Sequence, residues 1–256
     1  MKLIPALDRG LNILELLASE KRELGFNEIL DKTGIPKPSL SRILRTLVAR
    51  GYLKQSRLNK KYWLGSKLLV VGSIILDHLE LREIARPYLK KLVEETGETA
   101  ELGILDEGKL LYIDKMESTE SIRLFARIGS RYSNLHASAT GKVFLAYFSN
   151  EELESFLKNN GLPKITEETI TNPSSLRKEL SEIRREGYAF DDQEVRLGVR
   201  RIATPIFDHR EKLAGVIGIA GPSFRITSKE KVKFAKSVIS AGKAISKELG
   251  CSSLYK

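Results

Sequence analysis

Apolar residues recur at helical spacing from the start of the chain. Leu7, Leu11, Leu14 and Leu17 follow Pro5, which predicts an amphipathic helix with proline near its start. A short second helix is expected after Asn27, a residue type that caps helix N-termini, and before Gly34, typical just past a helix end. Ile35 and Pro36 then make a turn. Pro38 can stand in the first turn of a third helix, where its missing N–H is not needed. In that third helix Leu40, Ile43, Leu44 and Leu47 form one stripe to be buried, and Ser39, Ser41, Arg42, Arg45 and Thr46 face elsewhere. The next segments, Leu53–Ser56, Arg57–Lys60 and Lys61–Leu64, read as strand, turn and strand.

Residues 66–81 form a differently composed helical stretch. Leu68, Leu69, Val71, Ile75, Leu76 and Leu79 give it more apolar surface than a free linker needs, so it is expected to pair with a second copy, the alternative being docking onto its own C-terminal domain. Beyond it the pattern is mixed. Helices are expected near 84–96, 139–148, 151–159, 174–186 and 228–249, and strands near 99–105, 110–116, 121–128, 200–207 and 213–220. Hairpins interspersed with helices argue an α+β fold with an antiparallel sheet. The expected division is 1–65, 66–81 as connector, and 82–256.

At 256 residues the chain is long enough for two domains, and 41% hydrophobic with 30% charged residues suits a folded protein. Asp8 and Arg9 interrupt the N-terminus where an export signal needs an apolar run. No stretch approaches the ~20 apolar residues of a membrane span, so a cytoplasmic protein is expected. Cys251 is the single cysteine, and His78, His136 and His209 are scattered, so no metal site or cofactor is expected.

Charge changes the picture. The net +10 is concentrated early, with thirteen Lys/Arg against six Asp/Glu in residues 1–65. From Lys32 to Leu76 there are ten Lys/Arg and no acid, the electrostatic footprint of a surface facing phosphates. A short helix, a tight turn and a second helix with a basic outer face match a helix-turn-helix, and the hairpin after it reads as a wing. Lys37, Ser39, Ser41, Arg42, Arg45 and Thr46 are the candidate contacts of the recognition helix. Arg57, Lys60 and Lys61 at the wing tip would lie on the backbone or in the minor groove.

Signatures of catalysis are weak. Ala139-Thr140-Gly141-Lys142-Val143 suggests a phosphate loop, but His136 stands at its first glycine position and Val143 where Ser or Thr belongs. Asp191-Asp192-Gln193-Glu194 lacks the glycine of a calcium loop and reads as a solvated loop or a pocket rim. His136 with Ser138 reads as packing and capping rather than as a nucleophile pair. A regulator is favoured over an enzyme, and the large, nearly neutral second domain argues against a sequence-indifferent architectural DNA protein.

Several segments together, in order, resemble the isocitrate-lyase-regulator (IclR) family of bacterial transcription factors. They are Ala6–Leu14, Gly34–Ser39, Tyr62–Gly65, Leu135–Lys142, Gly187–Asp192, Gly198–Arg200 and Gly218–Pro222. The resemblance implies a winged helix-turn-helix, a linker helix used in dimerisation, and a C-terminal domain similar to GAF and PAS sensor folds; pairing of two copies through residues 68–79 in turn predicts a pseudo-palindromic DNA operator. The resemblance also implies a homodimer or homotetramer that represses or activates, and a small-molecule effector, often an organic acid. By position in the family, Ala139, Thr140, Asp191, Arg201, Gly218 and Ala220 would line the effector pocket. Members that bind small keto acids carry small hydroxyl or thiol side chains at the last three positions. Gly218 and Ala220 would here enlarge the pocket, and Arg201 would add a fixed charge. Strand alternation around Arg200 and Arg201 sends one guanidinium to solvent and the other, by family position Arg201, to the pocket, where Asp191 is the expected partner.

Overall fold

The computed structural model describes residues 3–77, 80–124 and 127–251. It forms two compact units that divide between His78 and Leu79.

The first unit begins with three helices, α1 (Pro5–Glu20), α2 (Phe26–Thr33) and α3 (Lys37–Ala49). A two-stranded hairpin, β1 (Leu53–Gln55) and β2 (Tyr62–Leu64), and helix α4 (Lys67–Asp77) complete it. Its core is Ile13, Leu17, Leu24, Ile29, Ile35, Leu40, Leu44 and Leu53. The buried face of α1 differs from the expected stripe: Gly10, Ile13 and Leu17 are buried, whereas Leu7 and Leu11 are 61% and 50% exposed. Both sets repeat at helical spacing. Gly10 lies on the buried side against Ile43 of α3.

Asn27 does not cap α2. Gly25 takes that place, its N–H donating to Glu28 Oε2 at 2.8 Å, and Asn27 lies within the first turn. Gly34 ends α2 at φ 64°, a left-handed conformation open to glycine, and its N–H donates to Leu30 O at 2.9 Å. Pro36 then precedes α3, with Pro38 in its first turn. In α4, Leu69, Val70 and Val71 are exposed. The side chains of Ile75, Leu76 and Leu79 lie outside the described residues, as does His78.

The second unit is built on a six-stranded antiparallel sheet. Its strands are β3 (Thr99–Asp106), β4 (Lys109–Met116), β5 (Arg131–Tyr132), β6 (Ala189–Asp192), β7 (Val199–Phe207) and β8 (Leu213–Pro222), in the order β5-β4-β3-β8-β7-β6. Alternation along the strands sends Ala100, Leu102, Ile202, Ile217 and Ile219 to one face, under α5 (Glu80–Thr96) and α9 (Ser228–Glu248). Ala189, Ala203 and Val216 point to the other face, under α6 (Ala139–Ala146), α7 (Asn150–Asn160) and α8 (Pro173–Glu186).

No residue of α6 is exposed. A strand expected over 121–128 is absent among its described residues, and a short β5 follows instead. Strand β6, unexpected, closes the sheet edge with Asp191 on it; Asp191 and Glu194 are buried and Asp192 and Gln193 half-buried, so the run is not a fully solvated loop. No helix among the described residues is long and apolar enough to cross a membrane.

Candidate DNA-binding face and effector site

In the first unit, α3 buries Leu40 and Leu44 and holds Ile43 and Leu47 partly buried. The opposite side carries Lys37, Ser41, Arg42, Arg45 and Thr46 exposed, with Ser39 half-buried. Thr46 returns its hydroxyl to Arg42 O at 2.9 Å, whereas the guanidinium groups of Arg42 and Arg45 have no partner among the described residues. Two unpaired cations on an acid-free helix face are an arrangement suited to phosphates and guanine edges.

The hairpin pairs Leu53 with Leu64, Lys54 with Trp63 and Gln55 with Tyr62. Leu24 adds a bridge to Tyr62, with N–O distances of 3.1 and 2.8 Å, tying the wing to the loop before α2. Arg57 and Lys60 are exposed at its tip and Lys61 is half-buried.

In the second unit the antiparallel register places four of the six expected effector residues on one face of the sheet. Asp191 pairs with Arg201, Arg201 with Ala220, and Glu101 with Gly218. Ala139 and Thr140 stand at the start of α6 over that same face, both buried. Alternation sends the two arginines to opposite faces as expected, but Arg200 does not reach open solvent: its side chain is 18% exposed, against 16% for Arg201. Arg200 turns to the other side, where Nε meets Asp192 Oδ1 at 2.7 Å and Nη1 reaches the carbonyls of Ser223 and Ile226.

Arg201 faces a cavity of about 230 Å³. Glu101, Tyr112, Tyr132, Asn134, Ser138 and Arg196 line it alongside Arg201, with Leu110, Leu124, Ile165 and Val195 as its apolar wall. Gly218 does not enlarge this cavity: the space a side chain would take there is filled by the Ile202 carbonyl and Ala203 of the neighbouring strand. Glu101, Tyr112 and the other polar lining residues carry no motif. The signal for Glu101 was a lone acid in the apolar run Thr99–Leu105.

The electrostatics centre on Arg201. Its Nη1 donates to Asp191 Oδ2 at 2.9 Å, and the other Asp191 oxygen accepts the Glu194 N–H at 2.8 Å. Burial pulls the Arg201 guanidinium down, but Asp191 and then Glu101 more than offset it, so it stays above its ordinary value and charged. Burial raises the Glu101 carboxyl, opposed first by the Arg201 charge and then by the nearby Tyr112 hydroxyl.

Behind this lies a second buried cation. Lys142 Nζ meets Glu194 Oε1 at 2.6 Å, Glu179 Oε1 at 2.9 Å and Phe190 O at 2.6 Å, so the lysine of the apparent phosphate loop is a buried strut. Burial pushes Glu194 up to about 7 despite Lys142. Ser138 caps α6, its Oγ accepting the Gly141 N–H at 3.0 Å, and His136 Nε2 lies 3.0 Å from Pro163 O.

Comparison with known proteins agrees with both units. Residues 6–57 match the IclR helix-turn-helix domain, and residues 74–247 match the bacterial transcriptional regulator IclR C-terminal domain. The transcriptional repressor IclR of Escherichia coli is 35% identical over 250 residues, covering 96% of this chain and 90% of that protein. The crystal structure of Thermotoga maritima IclR superposes with a TM-score of 0.80 at 30% identity, covering 96% of this chain and 99% of that one. An IclR homologue from Microbacterium hydrocarbonoxydans, crystallised with 4-hydroxybenzoate, shares the fold at a TM-score of 0.82 and 23% identity, over 95% of this chain and 98% of that one. A basic helix-turn-helix with its wing, a sheet domain with a charged cavity and these matches over nearly the whole length lead to one assignment: the chain belongs to the IclR family, DNA-binding transcriptional regulators with a C-terminal effector-binding domain.

Proposed function

We propose that this regulator responds to a small organic acid held at Arg201, and that it does so as a homodimer or homotetramer on a pseudo-palindromic operator. The observation that carries the effector reading is the state of Arg201. Among the described residues its guanidinium makes a single hydrogen bond, to Asp191, and its remaining N–H donors are available at the cavity wall. Asp191 balances Arg201, burial works against charge on Glu101, and Arg196 adds a second cation at the cavity wall. Such a cavity attracts a carboxylate, which two parallel N–H bonds from one guanidinium would orient.

Binding is linked to DNA affinity only insofar as the acid prefers one arrangement of the DNA-binding units, and the coupling is then reciprocal. On the DNA side, Lys37, Ser39, Ser41, Arg42, Arg45 and Thr46 are assigned to the major groove, and Arg57, Lys60 and Lys61 to the phosphates or the minor groove. Residues 66–81 serve as the linker. Its exposed Leu69, Val70 and Val71, with the exposed Leu7 and Leu11 of α1, are the surface assigned to a second copy.

Calorimetry on the full-length protein with sugar acids, keto acids, aromatic acids and their neutral amides tests the effector reading. An acid is expected to bind best, Arg201→Ala is expected to weaken it at least tenfold, and operator affinity without effector is expected to be nearly unchanged. A neutral or cationic best binder, or an Arg201→Ala protein that binds the acid as wild type does, overturns it.

A further inference from the structure

At 98% exposure, Leu58 is the most exposed of the large hydrophobic residues described in the chain, and it stands at the very tip of the wing. Turn chemistry does not call for leucine there, since tips favour Gly, Asn, Asp and Ser. The turn that carries it is firmly held. Ser56 N–H donates to Lys61 O at 2.8 Å and Lys60 N–H to Ser56 O at 3.1 Å. Asn59 Oδ1 accepts the Lys61 N–H at 3.0 Å, and Gln55 Nε2 donates to Lys60 O at 3.0 Å. Asn59 Nδ2 also reaches Glu23 Oε2 at 3.0 Å, tying the tip to the loop before α2. Lys60 itself is held at φ 58°, a conformation that a non-glycine residue keeps only when its surroundings impose it. The result is an apolar side chain presented rigidly with Arg57 on one side and Lys60 on the other, both exposed.

An exposed leucine alone needs no explanation. One fixed at a basic hairpin tip on a DNA-binding unit has a fitting occupant, because proteins that enter the minor groove flank it with cations and insert an apolar wedge between base steps. We propose that Leu58 is such a wedge: it enters the minor groove beside the site read by α3, partly unstacks one base step and bends the duplex, while Arg57 and Lys60 hold the phosphates on either side. This rests on the placement of α3 in the major groove.

An apolar contact releases no counterions, whereas a lysine contact does, so the two contributions separate by salt dependence. The probe is a 40-base-pair duplex carrying the site footprinted upstream of the protein's own gene, titrated with full-length protein across salt concentrations and read for bend by circular permutation. Leu58→Ala is expected to lose roughly tenfold in affinity with an unchanged salt slope and a smaller bend, and Leu58→Met to retain both. Lys60→Ala is expected to flatten the slope. Because Leu58 is fully solvent-exposed, neither variant disturbs folding. Wild-type affinity and bend in Leu58→Ala, or a salt slope that changes as it does in Lys60→Ala, overturns the wedge. The Arg42→Ala/Arg45→Ala double variant separates the failures. If it alone loses binding, the wedge is wrong and α3 is rightly placed; if it binds as wild type does, the placement of α3 fails and the wedge falls with it.

Discussion

Two buried cations divide the labour among single residues. Lys142 is saturated by Glu194, Glu179 and a carbonyl, and Arg201 is left partly unbonded at a cavity. Removing the saturated one strands acids. Lys142→Ala is expected to destabilise the sensor unit by about 3–5 kcal/mol, read from chemical denaturation, because Glu194 loses its charge partner in a buried place.

Glu194 has a pH signature of opposite sign to that of an ordinary surface carboxylate. Its pKa rises from 4.5 to about 7 on folding, so the folded state holds the proton more tightly than the unfolded one. The stability of wild type relative to Glu194→Gln should therefore fall as pH rises from about 4.5 to about 7, by up to about 3 kcal/mol, and level off above that. Denaturation midpoints of both proteins at pH 5 and pH 8 check it. On the DNA face, Arg42→Ala or Arg45→Ala is expected to cost about 1–3 kcal/mol of operator affinity in a fluorescence titration.

At this scale the sequence was legible where periodicity forced a direction, as in the opposite facing of Arg200 and Arg201. For Glu101 it held only a lone acid in an apolar run, and for Tyr112 no signal. Their role comes from strands brought together by register, which no local spacing encodes.

Among the elements, the long periodic helices and the hairpins around Asp106–Lys109 and Asp208–Glu211 were readable because each combines a strong period with turn residues. The misreadings have physical causes. On α1 two apolar sets share the helical period, so periodicity alone does not choose between them, and the buried face is the one with Gly10, Ile13 and Leu17. On α2 the backbone N–H of Gly25 is satisfied from inside the helix by Glu28, which makes the asparagine cap unnecessary. Strand β6 has only four residues, three of them polar or aromatic, and it exists because β7 offers an edge to pair with.

The turn between α2 and α3 offers a test at this scale. Gly34 sits at φ 64° with open space around it, so Gly34→Ala carries a conformational cost without a clash. A loss of about 1–2 kcal/mol is expected. Trp63, the single tryptophan, lies on β2 of the same unit, so its fluorescence reports that unit's unfolding.

For the molecule as a whole, the exposed apolar side chains of α1 and α4 are the feature that asks for a partner. Light scattering at micromolar concentration is expected to give a dimer or larger species, and Leu11→Glu with Leu69→Glu to shift it toward monomer. A monomeric wild type would remove the second copy from the account of operator binding.

The order of strands in the sensor sheet has a consequence for how the protein is made. Strand β8 sits between β3 and β7, pairing Thr99 with Ala220, so the sheet stays in two pieces until nearly the whole chain has left the ribosome. The first unit has all its core residues between Ile13 and Leu53 and is free to fold long before. At bacterial elongation rates the interval is on the order of ten seconds or more. For that time each nascent chain carries a folded, effector-blind DNA-binding unit. In a cell where transcription and translation are coupled, that unit is held close to the gene it comes from.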